Sequence, residues 1–132
     1  MHALPPEAPT WTAAERELAL AVMSGDTVVV NVRKGGPHRR LVPWLAGAGL
    51  LTYVGHAGNR HDWPESPFAN PFAGLRDADR ATMVSRYREW LGEHPVLLRR
   101  IRSELAGRAL GCWCAPAACH ADVLAEQTRR GG

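Results

Sequence analysis

The chain has 132 residues, a length that fits a single domain with a modest hydrophobic core. Its formal net charge of +3 selects no class of partner, and no apolar run reaches the ~20 residues of a membrane helix. The first residues lack the basic and apolar regions of a secretory signal. Because the three cysteines crowd into residues 112–119, they form a poor disulfide framework. We therefore expect free or metal-bound thiols, a reducing cytoplasmic location and no contact with a membrane.

The first half of the chain predicts a helix, a strand and a second helix in that order. Thr12 and Glu15 match the T-x-x-E capping box, which is typical of a helix start. Three consecutive valines predict a buried strand over residues 27–33. The sequence LVPWLAGAG then predicts a short helix over residues 41–49.

The rest of the chain continues this alternation. LLTYVG predicts a strand over residues 50–55, and RALGCWC predicts another over residues 108–114. Further helices are expected over residues 80–92, 96–105 and 118–130. Strands separated by helices predict an α/β domain of three layers, with a mostly parallel sheet of at least three strands. We expect it to span residues 10–130, after an extended, proline-rich leader over residues 1–9.

Polar residues follow each predicted strand, where ligands of parallel sheets usually bind. Asn31 and Arg33 lie at the end of the first strand, His56 follows the second, and Cys114 ends the third. The segment over residues 56–72 is longer than the roughly 12–15 residues of ordinary loops, and such long loops often carry function. The sequence therefore predicts a ligand site at one edge of the sheet.

Cationic and aromatic side chains supply candidate ligand contacts. A cluster without acidic residues either meets phosphate groups or forms a solvated loop; its members are Arg33, Lys34, His38, Arg39 and Arg40. Three rings of the long loop suit stacking on a base, and an amide suits its edge: Trp63, Phe68, Phe72 and Asn70. Candidate acids and bases are His56, His61, Asp62 and Glu65.

The cysteine segment supports three interpretations. Cys112, Cys114, Cys119 and His120 supply the atoms of a tetrahedral zinc site, although the spacing C-x-C-x₄-C-H is unusual for zinc. Alternatively, Cys119 at a helix N-terminus is a nucleophile with a lowered pKa, activated by His120 or another histidine. In the third and leading interpretation, Cys112 is buried in the core, while Cys119 and His120 cap the helix and help to seat a phosphate.

Several segments together resemble the DUF4326 family, a bacterial and phage group of small domains without an established function. The matching segments are VVNVRKGG (29–36), TYVGH (52–56), SPFANPF (66–72), SRYREWL (85–91) and LAGRALGCWCAPAACHADVLAE (105–126). The similarity runs over about residues 27–127, and GCWCAP-x₂-CHADVL is its most specific part. The cysteine segment also shows a weaker likeness to the DUF488 group.

This resemblance implies an α/β fold and marks a set of motif positions. They are Asn31, Arg33, Tyr53, Gly55, Asn70, Pro71, Phe72, Cys112, Trp113, Cys114, Cys119 and His120. The chain departs from the family pattern at His56, where an arginine is common. The resemblance therefore implies a weaker and pH-dependent anion contact at that position.

We expect the protein to bind, and to hydrolyse or transfer, a small phosphorylated, nucleotide-like ligand. The candidate catalytic residues are Cys119, His120 and His56. The candidate ligand-binding residues are Asn31, Arg33, Lys34, Tyr53, Gly55, Asn70, Phe72 and Cys114. The sequence holds no P-loop, G-x-G-x-x-G or paired-carboxylate motif that would identify the reaction. The alternative is a non-catalytic module that binds zinc, nucleic acid or a protein partner.

Overall fold

The computed structural model describes residues 3–56, 63–72 and 79–130. Along these residues lie α1 (Ala13–Met23), β1 (Val28–Asn31), α2 (Leu41–Gly47), β2 (Leu51–Tyr53), α3 (Arg80–Gly92), α4 (Pro95–Glu104), β3 (Ala109–Cys112) and α5 (His120–Arg130). The three strands pair in the order β1-β3-β2, and both pairings are parallel. The prediction of an α/β domain with a parallel sheet is confirmed.

Helices cover both faces of the sheet. Val28 and Val30 of β1 pack into an apolar cluster with side chains of α1 and α2. Val29 lies on the opposite face, where it contacts a second cluster built from α3, α4 and α5. Leu110 and Cys112 of β3 belong to this second cluster. The alternation of side chains along each strand thus separates two cores, as the three-layer prediction required.

A buried carboxylate joins the starts of α1 and α2. Glu15 is 1% exposed, and its Oε1 accepts a hydrogen bond from the backbone N–H of Thr12 at 3.0 Å. Its Oε2 accepts from the backbone N–H groups of Arg40 at 3.0 Å and Leu41 at 2.8 Å. Burial by itself raises the pKa of Glu15, but these backbone donors outweigh it, so the pKa is lowered. The predicted capping box is confirmed, and the same side chain also caps the next helix.

Several predicted boundaries are wrong by a few residues. Each strand is shorter than predicted, and β3 ends at Cys112 because the chain turns there, with the N–H of Ala117 bonded to the carbonyl of Cys114. Cys112 and Cys114 therefore do not share one face of a strand. The last two helices begin at Pro95 and His120 rather than at residues 96 and 118.

The predicted extended leader is wrong for its last residues. Ala8–Thr10 forms a short 3-10 helix, in which Ala8 is buried. Trp11 is buried in the cluster formed with α1 and α2, and its ring lies 5.4 Å from that of Trp44. Burial of these apolar groups fixes the segment on the domain. Residues 1 and 2 lie outside the described residues.

We expect Glu15→Ala to lower the free energy of unfolding by about 3 kcal/mol, because three backbone N–H groups lose a charged acceptor. Urea unfolding followed by circular dichroism measures this change. Glu17→Ala is the matched control, since Glu17 is exposed on the same helix, and its effect should stay within about 0.5 kcal/mol. Equal stability of the two variants would contradict the double cap.

Candidate functional site

The carboxyl ends of the three strands lie side by side at one edge of the sheet. The register pairs Asn31 of β1 with Cys112 of β3, and Tyr53 of β2 with Gly111 of β3. The residues that follow each strand therefore meet, as the sequence predicts for a parallel sheet.

The side-chain amide of Asn31 holds the segments after β1 and β3 together. Its Nδ2 donates to the carbonyl oxygens of Ala115 at 2.8 Å and Trp113 at 3.3 Å. Its Oδ1 accepts from the backbone N–H of Arg33 at 2.9 Å, while its own backbone N–H donates to Nδ1 of His38 at 2.8 Å. Asn31 is 5% exposed. Its amide thus bonds the chain's own backbone, in the place where a ligand contact was predicted.

Three aromatic rings pack at the end of β2. The ring of Tyr53 stacks on that of Trp63, with centroids 5.0 Å apart and planes inclined by 24°. Nε1 of Trp113 donates to the hydroxyl oxygen of Tyr53 at 2.6 Å, and this hydroxyl donates in turn to the carbonyl of His56. A Cβ at Gly55 would lie 2.6 Å from the Tyr53 hydroxyl oxygen, so any side chain there would displace the Tyr53 ring. Tyr53 and Gly55 thus build this cluster, and their predicted contact with a ligand stays a prediction.

His56 bridges two parts of the following loop. Its Nδ1 lies 2.7 Å from Oε2 of Glu65, and its Nε2 lies 2.7 Å from the carbonyl oxygen of Asn70. The Asn70 carbonyl, with a further contribution from Glu65, raises the pKa of His56 despite partial burial. Oδ1 of Asn70 accepts from the backbone N–H of Phe72 at 2.9 Å. Two other predicted acid or base candidates, His61 and Asp62, lie outside the described residues.

Two cysteines touch beneath this edge, on the α3–α5 side of the sheet. The thiol of Cys119 donates to Sγ of Cys112 at 3.4 Å, and both side chains are buried. That thiol and the N–H groups of Cys114 and Ala115 lower the pKa of Cys112 to about 7, although burial opposes the shift. Donation to Cys112, together with burial, raises the pKa of Cys119. The predicted lowering at Cys119 is therefore wrong, because its neighbour takes the role of acceptor.

The start of α5 is occupied by the chain's own groups. The backbone N–H of Cys119 donates to Oδ2 of Asp122 at 2.9 Å, so a carboxylate already takes the place proposed for a phosphate. Nε2 of His120 lies 2.7 Å from the carbonyl oxygen of Val54, and its ring meets the ring of Tyr87 edge-on, with centroids 5.2 Å apart. Burial lowers the pKa of His120, which favours a neutral ring. His120 thus links α5 to the end of β2.

The four residues of the conditional zinc site do not converge. The thiol of Cys119 hydrogen-bonds Sγ of Cys112, and Cys114 is half-buried against the same core. His120 hydrogen-bonds the carbonyl of Val54. Within residues 3–56, 63–72 and 79–130, no group of three or more histidine, cysteine or acidic side chains is arranged to hold a metal ion. The donor atoms are of the right kind, and two of them touch, but no three of the four are arranged around one point.

A cleft of about 240 Å³ opens beside the end of β1, and we call it the basic cleft. Its lining residues are Val32, Arg33, Lys34, Arg39, Val42, Pro43 and Trp63. The structure thus divides the predicted cationic cluster. His38 is buried, where it accepts the N–H of Asn31, and Nη1 of Arg40 donates to the carbonyl of Thr10 at 2.6 Å. Burial also lowers the pKa of His38, so it adds little positive charge.

The three predicted stacking rings are also divided. Trp63 lines the basic cleft. Phe68 is 3% exposed in the core under α3–α5, and its carbonyl accepts from the hydroxyl of Tyr87 at 2.6 Å. Phe72 is partly buried against the same core, so neither phenylalanine lines the basic cleft, and their ligand contacts stay predictions. Sequence reasoning missed Val42 and Pro43, because nothing in the local pattern of α2 indicates which residues face the cleft.

Comparison with known proteins identifies a family and no individual relative. A family model described as a domain of unknown function (DUF4326) matches residues 38–130. No curated protein and no solved structure matches the chain. The weaker likeness to the DUF488 group stays a prediction. None of the helices in the described part of the chain has the length and apolar character that crossing a membrane requires.

We expect His120 to make folding less favourable at acid pH. Its folded-state pKa is lowered from the ordinary value of about 6.5, so its stabilising effect is full above that value and is lost as the pH falls through the folded pKa. Urea unfolding between pH 7.5 and 5, approximately the range in which histidine titrates, measures the change. His120→Gln keeps an N–H donor for Val54 and should lose less stability than the wild type on acidification. Equal losses would contradict this role.

Proposed function

The chain belongs to the DUF4326 family, whose description assigns no function, and we propose that it binds a small phosphorylated, nucleotide-like ligand in the basic cleft. The observation that carries this proposal is the composition of the cleft. Arg33, Lys34 and Arg39 line it together with Trp63, and its described lining includes no carboxylate. Positive charge beside an aromatic ring suits a ligand that joins a phosphate to a flat group.

Hydrogen bonds within the segment that follows β1 hold the cationic part of the cleft. The N–H of Arg33 donates to Oδ1 of Asn31 at 2.9 Å, and the N–H of Gly36 donates to the carbonyl of Arg33 at 3.0 Å. Nη1 of Arg39 reaches the carbonyl of Gly36 at 3.4 Å. Arginine forms paired hydrogen bonds with phosphate oxygens, and a loop ordered in advance lowers the entropy cost of binding. These contacts favour a phosphate at this end.

The other part of the cleft is apolar. Trp63, whose ring is supported by stacking on Tyr53, lies in the same lining as Val42 and Pro43. Such a surface suits a base or the face of a sugar. The volume of about 240 Å³ lies below the roughly 300–1,000 Å³ of typical small-molecule sites. A ligand no larger than a nucleoside monophosphate fits this volume best.

Binding is better supported than hydrolysis or transfer. Two of the three predicted catalytic residues, Cys119 and His120, belong to the opposite side of the sheet, where Cys119 is buried and His120 bonds the carbonyl of Val54. His56 is exposed and paired with Glu65, so an acid or base role at this edge would fall to that pair. The three cysteines are free, which supports our proposal of a reducing cytoplasmic location.

A ligand panel on the full chain tests the proposal. We expect nucleoside monophosphates to raise the melting temperature by several degrees, since a ligand at about 100 times its Kd adds about 2.7 kcal/mol. The parent nucleosides should have little effect, because they lack the phosphate. A flat response to nucleotides and sugar phosphates would overturn the proposal. Strongly salt-dependent retention of single-stranded oligonucleotides, without a response to mononucleotides, would instead support nucleic-acid binding.

Arg33→Gln and Arg39→Gln should each weaken the binding of the same nucleotide by about tenfold, because each removes a charge-assisted hydrogen bond. Isothermal titration calorimetry measures this change in Kd. Arg99→Gln is the matched control, since Arg99 is exposed on α4, which packs on the opposite face of the sheet. Affinity that falls equally in all three variants would indicate a nonspecific charge effect and contradict the assigned cleft.

A further inference from the structure

A pair of buried thiols lies outside the basic cleft and takes no part in the proposed binding. Sγ of Cys119 is 3.4 Å from Sγ of Cys112, and the two side chains are 5% and 2% exposed. One sulfur ends the central strand, and the other immediately precedes α5. A buried cysteine usually packs as a small apolar group, whereas here two sulfur atoms face each other.

From this contact we propose that Cys112 and Cys119 form an oxidisable dithiol, which a peroxide converts into an intrachain disulfide. In the first step, the Cys112 sulfur, with its proton released, attacks one peroxide oxygen and becomes a sulfenic acid. The O–O bond breaks, and the leaving hydroxide takes up a proton to form water. In the second step, the Cys119 sulfur attacks the Cys112 sulfur, the S–O bond breaks, and the leaving hydroxide takes up the proton of the Cys119 thiol and departs as a second water. Two thiols are thereby oxidised while one hydrogen peroxide is reduced to two waters.

The surroundings assign the two roles. Sγ of Cys112 accepts from the Cys119 thiol, and the backbone N–H groups of Cys114 and Ala115 help to lower the pKa of Cys112. These donors stabilise negative charge on Cys112, which makes it the attacking sulfur in the first step. Cys119 already points its thiol at that sulfur, so it is placed to resolve the sulfenic acid.

The chain between the two cysteines can absorb the movement that closure needs. A disulfide is about 2.05 Å long, so the two sulfur atoms must approach by about 1.4 Å. Pro116, Ala117 and Ala118 of the connecting turn are exposed. A shift there moves three exposed residues, whereas a shift of β3 would move four buried ones. A small oxidant would reach the sulfurs from the side of this exposed turn.

Cys114→Ser in the full chain isolates the pair. The variant is needed because trypsin leaves all three cysteines in one peptide, which starts after Arg108 and ends at Arg129. After hydrogen peroxide treatment, removal of the peroxide and alkylation under denaturing conditions, we expect a mass lower by two hydrogens and no alkylation. Dithiothreitol should restore two alkylatable thiols. A chain that keeps both thiols, or that gains oxygen atoms instead, would overturn the proposal.

The wild-type chain provides a second measurement that does not depend on the variant. After the same treatment it should keep one alkylatable thiol, and fragmentation of the peptide should place that thiol at Cys114. Cys119→Ser should accumulate a sulfenic acid on Cys112 that dimedone traps, since the resolving thiol is absent. A disulfide that includes Cys114, or trapping at Cys114 instead of Cys112, would show that the pair is not the reactive one.

Discussion

The position of β3 constrains the rest of this molecule. Both β1 and β2 hydrogen-bond to β3, and all four of its residues are buried between the two helical layers. Its side chains must therefore be apolar on both faces and small where the packing is closest. At Gly111 a Cβ would lie 2.7 Å from Cγ1 of Val32, so the absent side chain makes room for the chain that leaves β1. Because the register aligns the three strand ends, whatever follows them is brought to one edge.

Most helices and strands could be predicted from local sequence patterns. The bounds that were predicted wrongly depend on contacts between residues far apart in the chain. Asp79 caps α3, its Oδ1 accepting the N–H of Thr82 at 2.7 Å, and α3 has the predicted bounds. The apolar character of RALGCWC gave no reason to end β3 at Cys112. The reason lies 84 residues away, since Asn31 takes the carbonyl of Ala115 and holds the following chain in a turn. No window of sequence contains both partners, so the prediction extended the strand.

The candidate site shows the same division. Asn31, His56 and His120 were predicted to contact a ligand, yet each bonds a backbone carbonyl of another segment. A polar side chain at a strand end can hydrogen-bond either a buried backbone group or a ligand. The sequence does not show which of the two it bonds. Two hydrogen bonds take members of the predicted cationic cluster away from the cleft. The backbone N–H of Asn31 donates to His38, and the backbone N–H of Arg40 donates to Glu15. Arg33, Lys34 and Arg39 face the cleft.

The end of β3 serves both proposed sites because a central strand faces two layers. Cys112 points into the core under α3–α5, where it meets Cys119. The next residue, Trp113, bonds the hydroxyl of Tyr53, whose ring supports Trp63 in the basic cleft. Neither chemistry requires the other, since phosphate recognition uses cations that follow β1 and oxidation uses sulfurs on the far face. Trp113 connects the two sites in space, since it follows Cys112 in the chain and bonds Tyr53. Oxidation would be coupled to ligand binding only if the affinity for the ligand differed between the dithiol and disulfide forms.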